Sequence, residues 1–173
     1  RVDNLDWGHV NPATGPLFIR GIHPDDVLRA DLLSLQVAPH SVMVAIPGEG
    51  ALGKSISRSE TAVLPVEGNA VIFKDRTRVP LRPMIGVIGV APREGSIPCG
   101  TPGPHGGNMD CTLIGQGTSL YLAAAVDGAL FGCGDFHAAM GDGEIVVCGA
   151  ETAGEVRLKA QAVPSLKGLP TPF

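Results

Sequence analysis

The stretch VLRADLLSLQV, residues 27–37, admits two readings. As a strand, Leu28, Ala30 and Leu32 alternate with Arg29 and Asp31. The frame then slips, and Leu33, Leu35 and Val37 alternate with Ser34 and Gln36. One extra residue in an alternating pattern is the sequence mark of a β-bulge. As a helix, the same stretch would be capped by Asp25 or Asp26, and Pro24 fits either reading. The rest of the chain favours the strand. Short apolar runs bounded by Pro and Gly occur at residues 42–46, 70–73 and 84–91, and further strands are expected at 17–19, 119–126 and 145–148. Near the end, Val156, Leu158, Ala160 and Ala162 alternate with Arg157, Lys159 and Gln161, which describes a strand with one wet face. Long amphipathic helices are absent from the pattern. The fold class expected is mainly β: a sandwich or distorted barrel of short strands with few helices.

Composition supports this and removes several function classes. With 44% apolar residues the chain is no disordered segment, and with 4% aromatics its core must be built from Val, Leu, Ile and Ala. The 24 glycines and 15 prolines follow no period, so they read as turns rather than as a fibrous repeat. No linker divides the chain, and residues 1–173 read as a single domain. A net charge of −4 without a basic stripe argues against a nucleic-acid partner. No apolar run approaches the ~18 residues of a membrane span, and no signal peptide is visible at the start; with its four cysteines read as reduced thiols, a cytoplasmic location is the default expectation. Arg1 in first position and the proline-rich PSLKGLPTPF, read as an extended tail, suggest a fragment of a longer chain. Cys99, Cys111, Cys133 and Cys148 form no C-x-x-C pair and read as reduced thiols.

Two Gly-rich segments carry the chemistry. In PGPHGGNMDC, residues 102–111, Gly106 and Gly107 let the backbone turn sharply or approach a ligand. Around them, His105 offers a nitrogen ligand or proton carrier, Asn108 a neutral donor and acceptor, and Asp110 an anionic oxygen. In GDFHAAMGDGE, residues 134–144, Asp135 and His137 fall on one face of an extended segment. They could bind a metal together, or Asp135 could orient the His137 ring. Asp142–Gly143 is a hairpin signal. Glu144 would then sit at the mouth of the strand expected at 145–148, well placed as a general base. Each segment alone reads more readily as a polar loop, but two in one chain suggest two halves of one site. His9, His23 and His40 lie in turn-rich sequence and read as surface residues.

Five segments together resemble the acetamidase/formamidase family: VNPATGP (10–16), PGEGALG (47–53), RPMIGVIGVAP (82–92), PGPHGGNMD (102–110) and GDFHAAMGDGE. They stand in the family's order and at similar spacing, and the resemblance runs over essentially the whole stretch from Asn11 to Glu151. The resemblance implies a mainly β fold, hydrolysis of short-chain amides to ammonia and a carboxylate, and a metal-containing cytoplasmic homo-oligomer. Family chains extend further at both ends. Glu49 stands where the family has a small residue, and Glu151 opens ETAGE where the family commonly has an acidic one.

On this reading Asp110, Asp135 and His137 bind or orient a divalent metal, zinc first, with calcium or magnesium if carboxylates dominate. Glu144 is the general base, and Asn108, His105 or a backbone N–H near Gly106 serves the oxyanion. The alternative is a catalytically inactive ligand-binding or structural β domain of the same descent. A third reading is a metal-free hydrolase with Cys111 or Cys133 as nucleophile, although no activating partner for either is marked in the sequence.

Overall fold

The structure, a computed structural model, describes residues 6–163, 166, 170, 172 and 173. Its strands are β1 Ala13–Leu17, β2 Val27–Val37, β3 His40–Ala45, β4 Glu60–Glu67, β5 Ala70–Ile72, β6 Arg78–Pro80, β7 Met84–Gly89, β8 Gly106–Asn108, β9 Ser119–Ala123, β10 Phe131–His137, β11 Glu151–Thr152 and β12 Gly154–Ala162. Single 3-10 turns at Trp7–His9 and Gly53–Ser55 complete the regular elements among the described residues. The smaller sheet has the order β12-β2-β9. The larger runs β6-β5-β4-β3-β11-β10-β7-β8, with β1 added alongside β10. Every pairing is antiparallel.

The two sheets close over one apolar core. Leu28, Ala30, Leu32 and Leu35 from β2 and Leu120 and Leu122 from β9 meet Ile85 and Ile88 of β7 and Phe131 and Cys133 of β10. A smaller cluster of Leu64, Val71, Ala138, Ala139 and Ala150 lies under the larger sheet's other half. This is the sandwich expected from the sequence; among the described residues no barrel closes. Among the described residues no helix is long and apolar enough to cross a membrane.

The stretch 27–37 is a strand with the bulge its sequence marks. On β12, Arg157 pairs with Ser34 and Leu158 with Leu32, so Leu33 is the unpaired residue. Leu32 is 1% exposed and Leu33 51%. The helix reading fails because β2 satisfies its backbone on both sides, against β12 and β9.

Other expectations need correction. The strand at 17–19 lies earlier, at Ala13–Leu17 on β10. The strand expected at 145–148 is a pair of turns. Val147 N–H donates to the Glu144 carbonyl at 2.7 Å, and Leu52 N–H donates to the Ile145 carbonyl at 3.1 Å. Its backbone is therefore tied to the 47–53 loop rather than to a ladder. Gly50 permits that approach: a Cβ there would stand 2.8 Å from the Ile145 carbonyl oxygen. Consequently Asp142–Gly143 turns the chain without joining two strands, and Glu144 sits in a loop. The short or Pro- and Gly-interrupted strands β4, β6, β8, β10 and β11 carry too little alternation to stand out in the sequence. The reading of the tail at 164–173 falls largely outside the described residues, as does the start of the chain at 1–5.

The bulge sets a stability contrast between neighbours. Leu32→Ala should cost about 2–5 kcal/mol through cavity formation, whereas Leu33→Gln should stay within about 0.5 kcal/mol. Urea denaturation of both variants checks this, and equal losses would contradict the assigned register.

Candidate active site

The site is built where β10 ends. His137 is the last residue of that strand, paired across to Met84 on β7 and to Glu151 on β11. Its ring is 1% exposed. Glu151 Oε2 lies 3.0 Å from His137 Nε2, Asp135 Oδ2 lies 3.7 Å from the same atom, and Glu144 Oε1 lies 4.0 Å from Nδ1. Met140 Sδ also approaches Nδ1, at 3.2 Å. The second oxygen of Glu151 accepts from the Gly149 N–H at 3.0 Å. Asp135 accepts from Asn11 Nδ2 at 3.2 Å.

Asp110 arrives from the other motif. β8 pairs with β7, and the chain leaving it is pinned where Met109 N–H donates to the Gly86 carbonyl at 3.0 Å. Gly86 explains the absence of a side chain at that point of β7. A Cβ there would lie 2.5 Å from Asp135 Oδ2 and 2.6 Å from Asp110 Oδ1. Both carboxylates thus occupy the space over one glycine. Gly89 serves backbone approach instead, with the His105 carbonyl oxygen 2.6 Å from where its Cβ would be. Asp110, Asp135 and Glu144 all hold left-handed backbone, with φ of 41°, 57° and 40°. That conformation is uncommon for non-glycine residues and is concentrated at functional sites.

Four acidic groups around one imidazole perturb one another. Burial raises the Glu144 carboxyl to about 7, with nearby Asp110 adding to the shift and His137 opposing it. Burial also raises Asp110 and Glu151, against the attraction of His137. For His137 burial favours the neutral ring, but the hydrogen bonds and charges of Asp135 and Glu151 outweigh it and raise the group to about 10.

Asn108, Asp110, Asp135, Glu144 and Glu151 line a cavity of about 520 Å³. His137 stands behind the carboxylates rather than on the lining. His105 is also off the lining and is packed beneath Gly107, with its Nδ1 buried and unpartnered. Among the described residues, Asn108 Oδ1 and Asp110 Oδ1 are likewise buried without a hydrogen-bond partner. Two sets of ligand-capable atoms occur among the described residues, Asp110–His137–Glu144 and Asp135–His137–Glu151, each within 4.8 Å mutual separation.

The structure therefore brings both Gly-rich segments to one place. A 2.8 Å hydrogen bond from Thr112 Oγ1 to Asp142 Oδ1 ties the two loops together outside the cavity. The sequence pattern assigns no role to Glu151 or Asn11. Asn11 stands in VNPATGP and Glu151 opens ETAGE, and neither spacing points to His137. Burial raises the Cys133 and Cys148 thiols, Cys148 to about 11, which disfavours a thiolate at either.

Comparisons with known proteins agree with one another. Residues 94–168 match the model of the Acetamidase/Formamidase family. An acetamidase of Bacillus halodurans of known crystal structure is 48% identical, with a TM-score of 0.94 over 99% of this chain and 58% of its own. A Thermoanaerobacter tengcongensis protein, described as a predicted acetamidase/formamidase, is 47% identical with a TM-score of 0.93, over 98% of this chain and 56% of its own. A formamidase of Methylophilus methylotrophus is 41% identical over 59 residues, 34% of this chain and 14% of that protein. The chain thus spans little more than half the length of the two relatives of known structure.

Two outcomes follow from this geometry. Gly86→Ala should retain β-sheet circular dichroism yet lose divalent-cation binding in a calorimetric titration, because its methyl group displaces Asp110 and Asp135. Undiminished binding would mean the two carboxylates do not act together. In chelator, stability should fall as pH rises from about 4.5 through about 7. The folded Glu144 pKa lies above its unfolded value, so its favourable contribution is full below the unfolded pKa and lost above the folded one. Glu144→Gln should flatten that fall by up to about 3 kcal/mol, read by urea denaturation at pH 5 and pH 8.

Proposed function

Because the chain belongs to the acetamidase/formamidase family, we propose that it hydrolyses short-chain amides, formamide and acetamide among them, to ammonia and the carboxylate with a divalent cation at the His137 cluster. The observation that carries this reading is the convergence of Asp110, Asp135, Glu144 and Glu151 on a single buried imidazole at the wall of one cavity. An assembly of several copies and a cytoplasmic location belong to the same proposal; the first rests on the family resemblance, the second on that resemblance and on the cysteine pattern.

The residues present suit a cation. Among the described residues Asp110 Oδ1 is buried without a hydrogen-bond partner, and it shares the space over Gly86 with Asp135 Oδ2. Buried anionic oxygen of this kind calls for a counter-charge. Asp110, Asp135 and His137 would hold the ion, and Glu151 stands close enough to His137 to fix its ring or join them. The imidazole suits zinc, while the majority of carboxylates admits calcium or magnesium. When bound, such an ion supplies Lewis acidity toward water and the amide carbonyl.

The chain's own groups account for the proton movements. Glu144 lines the cavity with a carboxyl raised to about 7 by burial, near the optimum for a base that must also act as an acid at neutral pH. It takes a proton from the attacking water and returns it to the amide nitrogen, so that ammonia leaves when the C–N bond breaks. The Asn108 carboxamide lies on the same lining and offers its N–H to the oxyanion. His105 lies off the lining, so its part is to support Gly107 and the loop rather than to contact substrate. Asn11 and Gly149 hold the carboxylates of Asp135 and Glu151 in place.

Ammonia release from formamide and acetamide tests the proposal. Turnover should disappear in chelator and return with one added metal. Glu144→Gln should lower kcat by at least ~100-fold, in keeping with loss of a general base, while leaving thermal unfolding of the metal-loaded protein near wild type. Turnover insensitive to both treatments would refute the scheme.

A further inference from the structure

The cavity is larger than its polar groups need. Its volume of about 520 Å³ lies within the ~300–1,000 Å³ of pockets that enclose drug-sized ligands, far beyond what a one- or two-carbon acyl group fills. Besides the acidic residues and Asn108, the lining carries apolar side chains, Trp7, Val10, Val44, Ile46 and Pro98 among them. They come from separate parts of the chain. Val44 lies on β3, Ile46 just beyond it, and Pro98 in the loop before β8. Trp7 sits on the 3-10 turn Trp7–His9, held by Asp6, which accepts from the Gly8 N–H at 3.0 Å and faces His9 Nδ1 at 2.7 Å. The indole is 53% exposed, a large apolar surface left in water at a cavity wall. Val10 adjoins Asn11, whose side chain donates to Asp135, so apolar and acidic parts of the lining are contiguous along the chain.

From this we infer that the site takes primary amides whose acyl group is apolar and larger than acetyl, with Trp7 as a specificity-determining residue that packs against it. The inference rests on the amide-hydrolase reading for its chemistry. The carboxamide faces Glu144 and Asn108, and the acyl group lies toward Val44, Ile46 and Trp7. The reaction is unchanged: water adds its oxygen to the acyl carbon, the C–N bond breaks, and ammonia and the longer carboxylate leave. Burying apolar acyl surface discriminates by roughly 10–200-fold for each added methylene-sized increment.

Trp7 is the sole tryptophan of the chain, so its emission reports on this wall directly. Phenylacetamide is the probe and formamide the reference. Adding phenylacetamide should shift Trp7 emission to the blue in a saturable way, and formamide at the same concentration should not. In turnover, kcat/KM should favour phenylacetamide over formamide, and Trp7→Ala should reduce that ratio at least ~10-fold. Formamide hydrolysis with neither turnover of phenylacetamide nor an emission shift would overturn the inference while leaving the amide-hydrolase reading intact. An unchanged ratio in Trp7→Ala would also overturn it. If neither amide is hydrolysed, the hydrolase reading fails, and the emission titration alone decides whether the apolar wall binds the phenylacetyl group.

Discussion

One buried imidazole organises the functional end of this molecule. His137 is almost fully withdrawn from water, and carboxylates approach it from both ring nitrogens. Burying several acids together is costly unless positive charge compensates them. Here compensation comes first from His137 itself, which its neighbours hold protonated, and in the proposed holo form from a cation. The same desolvation that makes the cluster costly raises Glu144 into the range useful for proton transfer at neutral pH. Cost and function therefore share one physical origin.

The scaffold meets this demand with backbone rather than with bulk. β7 lies between the strands that carry the two motifs, pairing with β8 on one side and β10 on the other. Its glycine at position 86 leaves room for two carboxylates, and its glycine at 89 lets the neighbouring backbone approach. Beyond the strands, the 47–53 loop holds the turns at 144–147, and the Thr112–Asp142 bond joins the loops that deliver Asp110 and Glu144. Asp110 and Glu144, both in left-handed backbone, stand on the segments that these ties hold.

Much of the sandwich is legible in the sequence. The slip at Leu32–Leu33 predicts the bulge, and the alternation at 156–162 predicts β12, because a half-buried strand must repeat every two residues. The segment 145–148 misleads for a related reason. Its apolar run resembles a strand, but its backbone partners lie in a loop about a hundred residues earlier, and no local pattern encodes a partner so far away. Glu151 escapes notice likewise: it meets His137 only through the pairing of β10 with β11. His105 is a different case. Its place inside a Gly-rich motif suggests contact with substrate, while the fold sets its ring between Gly103 and Gly107, off the cavity lining.

What the sequence determined by itself was the inventory and the period: which residues can titrate or ligate, which runs alternate, where glycine frees the backbone, and, through five ordered motifs, the family resemblance. Only the tertiary structure decided that Asp110 and Asp135 meet over Gly86, that Glu151 faces His137, and that Trp7 joins the cavity wall. The reason is physical. Periodicity is a property of neighbours along the chain, whereas a site depends on sheet register and side-chain approach across the fold, which are fixed only when the strands pair and the core closes.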